Sequence, residues 1–529
     1  MKVHHIPFAE TGYFSNLICN YLAKDDKIKD FYGNFPNLEG FKNQLNLKKN
    51  FSKEVRDSLV EALENQYKNF NPSDITKKNI DFLKDENTFT ITTGHQLNIF
   101  TGPLYFLYKI VSTINLTKQL KAEFPNFNFV PVYWMATEDH DFEEINYFNF
   151  NGQKVVWDRV SSGGVGRLKT DGFDKVLESF SKQLGNSNNA IFIKELFQKA
   201  YIKHDNLADA TRYLVNELFG ANGLVIIDGD DKILKKQFSP IVKDELINNS
   251  SYKEVLKTSE KLSTNYNTQV NPREINLFYL KENIRERIVF ENNSYKINNT
   301  KLSFTKDQVL KELTLYPERF SPNVIMRPVY QETILPNLCY IGGGGELAYW
   351  FQLKAYFSKI ETPFPILLLR NSVLLIPNKK VLKLEKLNVS LVKIFSKQKD
   401  LIDNKVKEIS DIKIDFSEQK LFLKQQFESL KRLAVQTDSS FLGAVLAQEK
   451  KQLNGLDNLE KRLLKAQKKK YKDEVERLIL LQNELFPNQS LEERTKNFSE
   501  IYLDLGKDLI PMLFNSLDPL KLEFTIIEY

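Results

Sequence analysis

Cysteine is almost absent: the 529 residues hold two, Cys19 and Cys339, far apart in the chain. Two thiols cannot build a zinc cluster or a disulfide framework, and each is read as a small buried hydrophobe. A thiol that takes part in chemistry is therefore expected to arrive with a substrate. Long apolar runs are missing too. The longest aliphatic stretches, Ile366 to Leu369 and Val373 to Ile376, fall far short of the ~20 residues that cross a bilayer. Met1 to Phe8 carries two His and a Pro instead of a charged flank and an apolar stretch. No secretory signal is read there, and a cytoplasmic location is expected. The P-loop pattern G-x-x-x-x-G-K-S/T does not occur.

Charge of one sign is also scarce. Lys plus Arg number 74 against 68 Asp plus Glu, a net charge of +6. Between Lys379 and Phe486 the count is 24 against 16, and elsewhere it is 50 against 52. The whole positive excess lies in that one segment, which argues against a globally basic nucleic-acid binder. What is abundant is apolar: 42% hydrophobic and 12% aromatic residues, the composition of a globular chain. The length exceeds what one core supports, so two to four structural units are expected.

The first eighty residues read as helices broken at Gly33, Pro36, Gly40 and Pro72. Thr88 to Thr93 is a β-branched strand, Leu104 to Leu120 is apolar at helical spacing, and Phe129 to Ala136 is a nearly continuous apolar strand. Strand, helix, strand is a βαβ unit, and it predicts a parallel, doubly wound sheet. Ala208 to Phe219 (helix), Leu224 to Ile227 (strand) and Pro365 to Leu369 (strand) extend it. The fold class is thus α/β with a Rossmann-like parallel-sheet core. The core is read as 1–150, 205–270 and 318–378, with insertions at 151–204 and 271–317; the second suggests small antiparallel hairpins. From 379 to 486 glycine becomes rare, and Leu456, Leu459, Leu463 and Ala466, then Val475, Leu478, Leu481 and Leu485, recur at helical steps. They predict a long antiparallel coiled-coil arm whose turn lies near Ser439–Ser440 or Gly455. Residues 487–529 form a tail expected to pack on the core, with a strand at Glu523 to Glu528.

Four clusters carry potential chemistry. Thr92, Thr93, Gly94 and His95 stand where a strand meets a loop, the place where doubly wound folds bind ligands; a plain strand-end turn is the alternative. Glu138, Asp139, His140 and Asp141 follow the buried strand directly. Carboxylates so crowded suit an ammonium, a metal or proton transfer, or else a helix-starting acidic turn. Gly342, Gly343, Gly344 and Gly345 precede Glu346; such a run brings backbone amides close to an anion, or is a flexible loop. Arg319, Arg327 and Arg370, with Arg167 in the first insertion, could grip carboxylates or phosphates in fork fashion; singly, each could equally serve a structural ion pair.

Several stretches resemble the bacillithiol biosynthesis cysteine-adding enzymes, the BshC family of cysteine ligases. They are TGHQLNIFTGPLYFLYKI and VPVYWMATEDHDFEEIN within 93–146, FSPNVIMRPVYQETILPN at 320–337, YIGGGGELAYWFQLK at 340–354, FPNQSLEER at 486–494 and FTIIE at 524–528. The resemblance implies a core like that of class I aminoacyl-tRNA synthetases and nucleotidyltransferases, with a coiled coil that supports a homodimer. It implies a ligase joining L-cysteine to the amino group of glucosaminyl-malate, the last step to bacillithiol, through cysteine activated by ATP or another nucleotide. Mg²⁺ is a candidate companion of that nucleotide, and no metal ligands are assigned. On this reading Thr92, Gly94 and Gly342 to Gly345 hold the nucleotide, and His95 stabilises its phosphates. Asp139 and His140 are catalytic, the latter a general base. Glu138 and Asp141 orient an ammonium, and Arg319, Arg327 and Arg370 take the malate carboxylates. A K-M-S-K-S-like loop is not recognisable: Phe-Ser-Lys occurs at 180–182, 357–359 and 395–397, none of them convincingly after the last core strand. The rival readings are a synthetase-like aminoacyl transferase or RNA-binding protein that uses the basic arm, and a scaffold with a relic core; nucleic acid and membrane are not expected partners.

Overall fold

The computed structural model describes residues 1–529. Contacts divide it into two compact units: Met1–Ala9 with Tyr13–Leu374 and Glu492–Ile527, and a second formed mainly by Leu375–Leu491. No helix is long and apolar enough to cross a membrane.

The first unit is built on five parallel strands: β1 (Thr88–His95), β2 (Asn128–Met135), β3 (Val225–Asp228), β4 (Asn337–Gly342) and β5 (Ile366–Leu369). Their spatial order is β5-β4-β1-β2-β3. Every residue of β1 is buried, as a strand covered on both faces requires, and its many threonines need internal partners. The Thr90 and Thr92 hydroxyls donate to Asn337 Oδ1 on β4 at 3.2 and 2.8 Å, and the Thr93 hydroxyl donates to the Ile341 carbonyl at 2.7 Å. Helix α1 (Tyr105–Glu123) returns the chain across β1 and β2. The order reverses between β1 and β4, and the crevice beyond the carboxyl ends at such a reversal is where these folds place ligands.

Strand β4 escaped the sequence reading, which assigned no element to its residues. Asn337 at its head and Gly342 at its end dilute the apolar signal, and pairing with β1 and β5 is what makes it a strand. The amino terminus differs as well. Lys2–Ile6 is a strand, and Gly40 lies inside helix Leu38–Lys48 instead of breaking it. A Cβ there would lie 2.0 Å from the Phe35 carbonyl oxygen, so glycine serves close packing.

The second insertion is an antiparallel sheet, with Leu277–Lys281 between Ile284–Glu291 and Phe320–Pro322. The first contains the strand Gln153–Val156, paired with Tyr147–Phe150, and the helices Phe173–Leu184 and Asn188–Tyr201. The tail joins the first unit: Asn497 Nδ2 donates to the Phe100 and Gly102 carbonyls at 2.7 Å each, and Thr525 N–H donates to Ser372 O at 3.0 Å.

In the second unit, α2 (Ser417–Ala434) and α3 (Ser439–Lys470) pack antiparallel. Lys420 pairs with Asp457 at 2.6 Å and Glu460 at 2.7 Å, and Lys431 with Glu449 at 2.8 Å, which fixes the register. The turn occupies 435–438, where the Asp438 carboxylate caps α3 by accepting from the Ser440 and Phe441 amides. Gly455 is within α3, so the turn lies at the first of the two expected places.

Candidate functional site

The carboxyl ends of the central strands open into a cavity of about 740 Å³. Parallel register sets its floor: Gly94 pairs with Trp134, His95 with Met135, and Gly342 with Leu369. Gly94 to Gln96, Trp134 to Asp141, Tyr340, Glu346 and Tyr349 line it. So do Arg273, Arg285 and Arg287 of the second insertion, and Arg327.

The acidic turn at 138–141 is not a loose run of like charges, because each carboxylate has its own environment. Glu138 is buried and paired with Lys235, whose ammonium also donates to Phe320 O at 2.7 Å. Burial still pushes the Glu138 carboxyl above its ordinary value against the pull of Lys235. Asp139 accepts from Gln96 Nε2 at 3.0 Å and from the His140 amide at 2.8 Å, with Arg285 Nη1 at 3.8 Å. Burial would raise the Asp139 carboxyl, but the His140 and Gln96 hydrogen bonds and the Arg285 charge outweigh it and hold it well below the usual range. Asp141 goes the other way: burial, then repulsion from Asp139, raises it. Arg285 donates to His140 Nδ1. His140 thus stands between Arg285 and Asp139, its Nδ1 3.7 Å from Asp139 Oδ1.

A glycine bend supports this turn. The amide of Val165 donates to Asp139 O at 2.7 Å and that of Gly166 to Thr137 O at 2.8 Å. A Cβ on Gly166 would meet the Thr137 Cβ at 2.5 Å. Arg167 next to it forks onto Asp230, with its Nε and Nη2 at 2.7 and 2.8 Å from the carboxylate oxygens.

At the strand reversal, Lys109 is fully buried and donates to Gly94 O at 2.7 Å beside Glu346 at 2.5 Å. Glu346 also accepts from the Gly343 amide at 2.8 Å and the Tyr340 hydroxyl at 2.6 Å. The chain's own carboxylate therefore takes the amide that the glycine run was expected to offer a phosphate. Gly342 closes β4, and Gly344 and Gly345 open helix Gly344–Phe351; none of the four glycines lines the cavity. His95 does, but burial and the nearby Lys109 lower its imidazole to about 3, and its Nε2 is buried without a hydrogen-bond partner. A neutral ring there cannot serve as a cationic clamp on phosphate.

Thr92, bonded to Asn337, is strand interior. Arg370 is buried against Glu493 at 2.8 Å, and Arg319 is paired with Glu312 at 2.5 Å away from the cavity. Of the three arginines assigned to substrate, only Arg327 reaches it. Arg273, Arg285 and Arg287 were missed. Their signal, Arg285 and Arg287 two apart on one strand face, lay in a segment read only as an insertion.

Residues 1–371 match the family model described as "Bacillithiol biosynthesis BshC, N-terminal Rossmann-like domain", and residues 373–529 match "Bacillithiol biosynthesis BshC, C-terminal coiled-coil domain". The chain belongs to the BshC family. Its relatives named "Putative cysteine ligase BshC" include one of Flavobacterium psychrophilum, 57% identical over 531 residues and all of both chains. One of Flavobacterium johnsoniae is 57% identical over 528 residues, again all of both chains, and one of Cytophaga hutchinsonii is 36% identical over 98% of this chain and 97% of its own. Among solved structures, one titled "Crystal structure of putative arginyl t-RNA synthetase from Campylobacter jejuni" is 10% identical over 88% of this chain and 98% of that one. Its TM-score is 0.23, too low to support a comparison with synthetases. BshC membership and the parallel sheet place the chain in the Rossmann-like α/β class with a helical coiled coil.

Proposed function

We propose that this chain is a cysteine ligase of bacillithiol biosynthesis, joining L-cysteine to the amino group of glucosaminyl-malate after a nucleotide has activated the cysteine carboxyl. The observation that carries this reading is the single cavity in which the β1 and β2 ends, Glu346 and the insertion arginines converge, with charges of both signs. Amide formation needs that mixture. The amine must be held as a nucleophile, and the negative charge that develops at the acyl carbon and on the departing phosphate must be stabilised.

Asp139, held ionised, orients the glucosamine ammonium. Asp141, exposed and raised above its ordinary value by burial and by Asp139, takes the proton released as the glucosamine nitrogen, by then a neutral amine, bonds to the cysteine carbonyl carbon and the carbon–oxygen bond to phosphate breaks. Arg273, Arg285 and Arg287 stand for the malate carboxylates and the phosphates, in place of Arg319, Arg327 and Arg370. Glu138, held by Lys235, fixes the turn. Asp139, His140 and Asp141 bring potential ligand atoms within 4.8 Å of one another, but Arg285 already faces that cluster, so it does not fit a resident divalent ion. Any Mg²⁺ is assigned to the nucleotide. A cytoplasmic location belongs to the same reading. So does a homodimer through the arm, which the exposed Leu421, Phe422, Leu433 and Val435 on and after α2 support.

The test is incubation of the purified protein with cysteine, glucosaminyl-malate and ATP, with bacillithiol followed by mass spectrometry. Product that depends on all three supports the reading, and its absence under every nucleotide refutes it.

A further inference from the structure

At the strand reversal, one cation and one anion in the cavity wall are incompletely satisfied, and they lie close together. Arg327 is held by neutral groups only: Nη1 donates to Gln331 Oε1 at 3.1 Å and Nη2 to the Tyr349 hydroxyl at 3.2 Å. Two of its five N–H donors are thereby used, and no carboxylate lies within the 4.0 Å of an ion pair. The rings of Tyr340, Trp134 and Trp350 surround it, with centroids 5.4, 6.0 and 6.0 Å from the guanidinium carbon. A guanidinium so enclosed is costly without a counter-ion, which a ligand entering the cavity would bring.

Glu346 is the complementary case. Its Oε2 faces the Gly343 amide and Lys109, while Oε1 accepts from Tyr340 alone. Of the roughly four acceptor positions of a carboxylate, one on Oε1 is open. Tyr340 lies against both groups, so the unused donors of Arg327 and the unused lone pair of Glu346 flank the same patch of wall. Gly94 keeps that patch clear: a Cβ there would sit 3.2 Å from the Tyr340 hydroxyl and 3.7 Å from Arg327 Nη1.

The two charges together select the ligand. A phosphate would satisfy Arg327 but meet Glu346 as a like charge. A simple amine would satisfy Glu346 but meet Arg327 and Lys109. A molecule that carries a carboxylate and an ammonium on one carbon satisfies both and adds no net charge.

We propose that Arg327 and Glu346 form the amino-acid subsite, Arg327 taking the α-carboxylate and Glu346 the α-ammonium. This rests on the cysteine-ligase reading for the identity of the amino acid. It sets the activated carboxyl at the Gly94 end of the cavity, with the Asp139–Asp141 turn left for the amine acceptor. Trp134 and Tyr105, also in the wall, face the side chain.

Calorimetric titration of the whole protein, alone and with a non-hydrolysable ATP analogue, tests it with L-cysteine, cysteamine, 3-mercaptopropionate and orthophosphate. Cysteine is expected to bind about tenfold or more tightly than cysteamine, which lacks the carboxylate, and 3-mercaptopropionate, which lacks the amine. Arg327→Gln should erase the preference over cysteamine, and Glu346→Gln the preference over 3-mercaptopropionate. Arg327→Lys, which keeps the charge but not the fork, carries the test if the glutamine variant does not fold. Folded variants that retain the wild-type order of affinities, or orthophosphate that binds more tightly than cysteine and depends on Arg327, would overturn the subsite while leaving the ligase reading standing. Failure of the wild type to bind cysteine under either condition would sink both.

Discussion

Gly94 and Tyr340 meet across the reversal of the sheet, on neighbouring strands, with room between them for hydrogen but not for a methyl group. The 3.2 Å that a Cβ would leave to the Tyr340 hydroxyl is tighter than ordinary contact, and that hydroxyl is bonded to Glu346. Gly94→Ala should therefore displace Tyr340 and Glu346 by a few tenths of an ångström. We expect ligation to fall by about tenfold to a hundredfold, with the melting temperature changed by only a few degrees. Steady-state rates and thermal melts on the same preparation check this, and unchanged rates would contradict the geometry.

Arg370 and Glu493 form an ion pair 2.8 Å long with side chains only 5% and 0% exposed, and Ser372 Oγ and the Val373 amide also donate to Glu493. Removing one partner strands the other charge. Arg370→Ala should cost about 3–5 kcal/mol in urea denaturation. A paired replacement, Arg370→Met with Glu493→Leu, should recover a large part of it. A single substitution that left the midpoint unmoved would show the pair to be dispensable.

Asp228, at the end of β3, has its carboxyl pushed up to about 7 by burial and by the neighbouring Asp230. In the unfolded chain the same group titrates near its ordinary value of 3.8. Between these limits the native state binds the extra proton, so stability falls as pH rises and levels off above about 7. Asp228→Asn removes that dependence. Relative to wild type, the variant should gain stability steadily from pH 5 to 7 and no further by pH 8, read from denaturation midpoints. A flat difference would mean that Asp228 titrates elsewhere.

Asp141 and Asp139 are two residues apart yet oppositely perturbed. If Asp141 is the base, Asp141→Asn should lower kcat by about a hundredfold or more with little change in KM for the amine. Asp139→Asn should raise KM as well. Equal effects on both constants in both variants would argue against the division of roles.

A Cβ on Gly166 would lie 2.5 Å from the Thr137 Cβ, so Gly166→Ala forces apart the two loops that hold the acidic turn. A destabilisation of about 1–3 kcal/mol is expected, measured by chemical denaturation. A shift below 0.5 kcal/mol would show that the loops yield freely.

The sequence determined a good deal by itself. The βαβ unit at 88–136, the hairpin insertion, the helical arm, the strand end at His95 and the acidic turn that follows the strand ending at Met135 follow from local periodicity and from where apolar runs stop, which neighbouring residues control. What only the tertiary structure decided is which polar groups are spare. Arg319, Arg327 and Arg370 look alike in sequence, but Glu312 and Glu493 neutralise two of them, and the third faces a cavity. Glu138 is claimed by Lys235, nearly a hundred residues away, and the glycine-run amide by Glu346. Whether a charge is free to bind a ligand depends on partners brought together by chain reversal, and neither spacing nor composition records those partners.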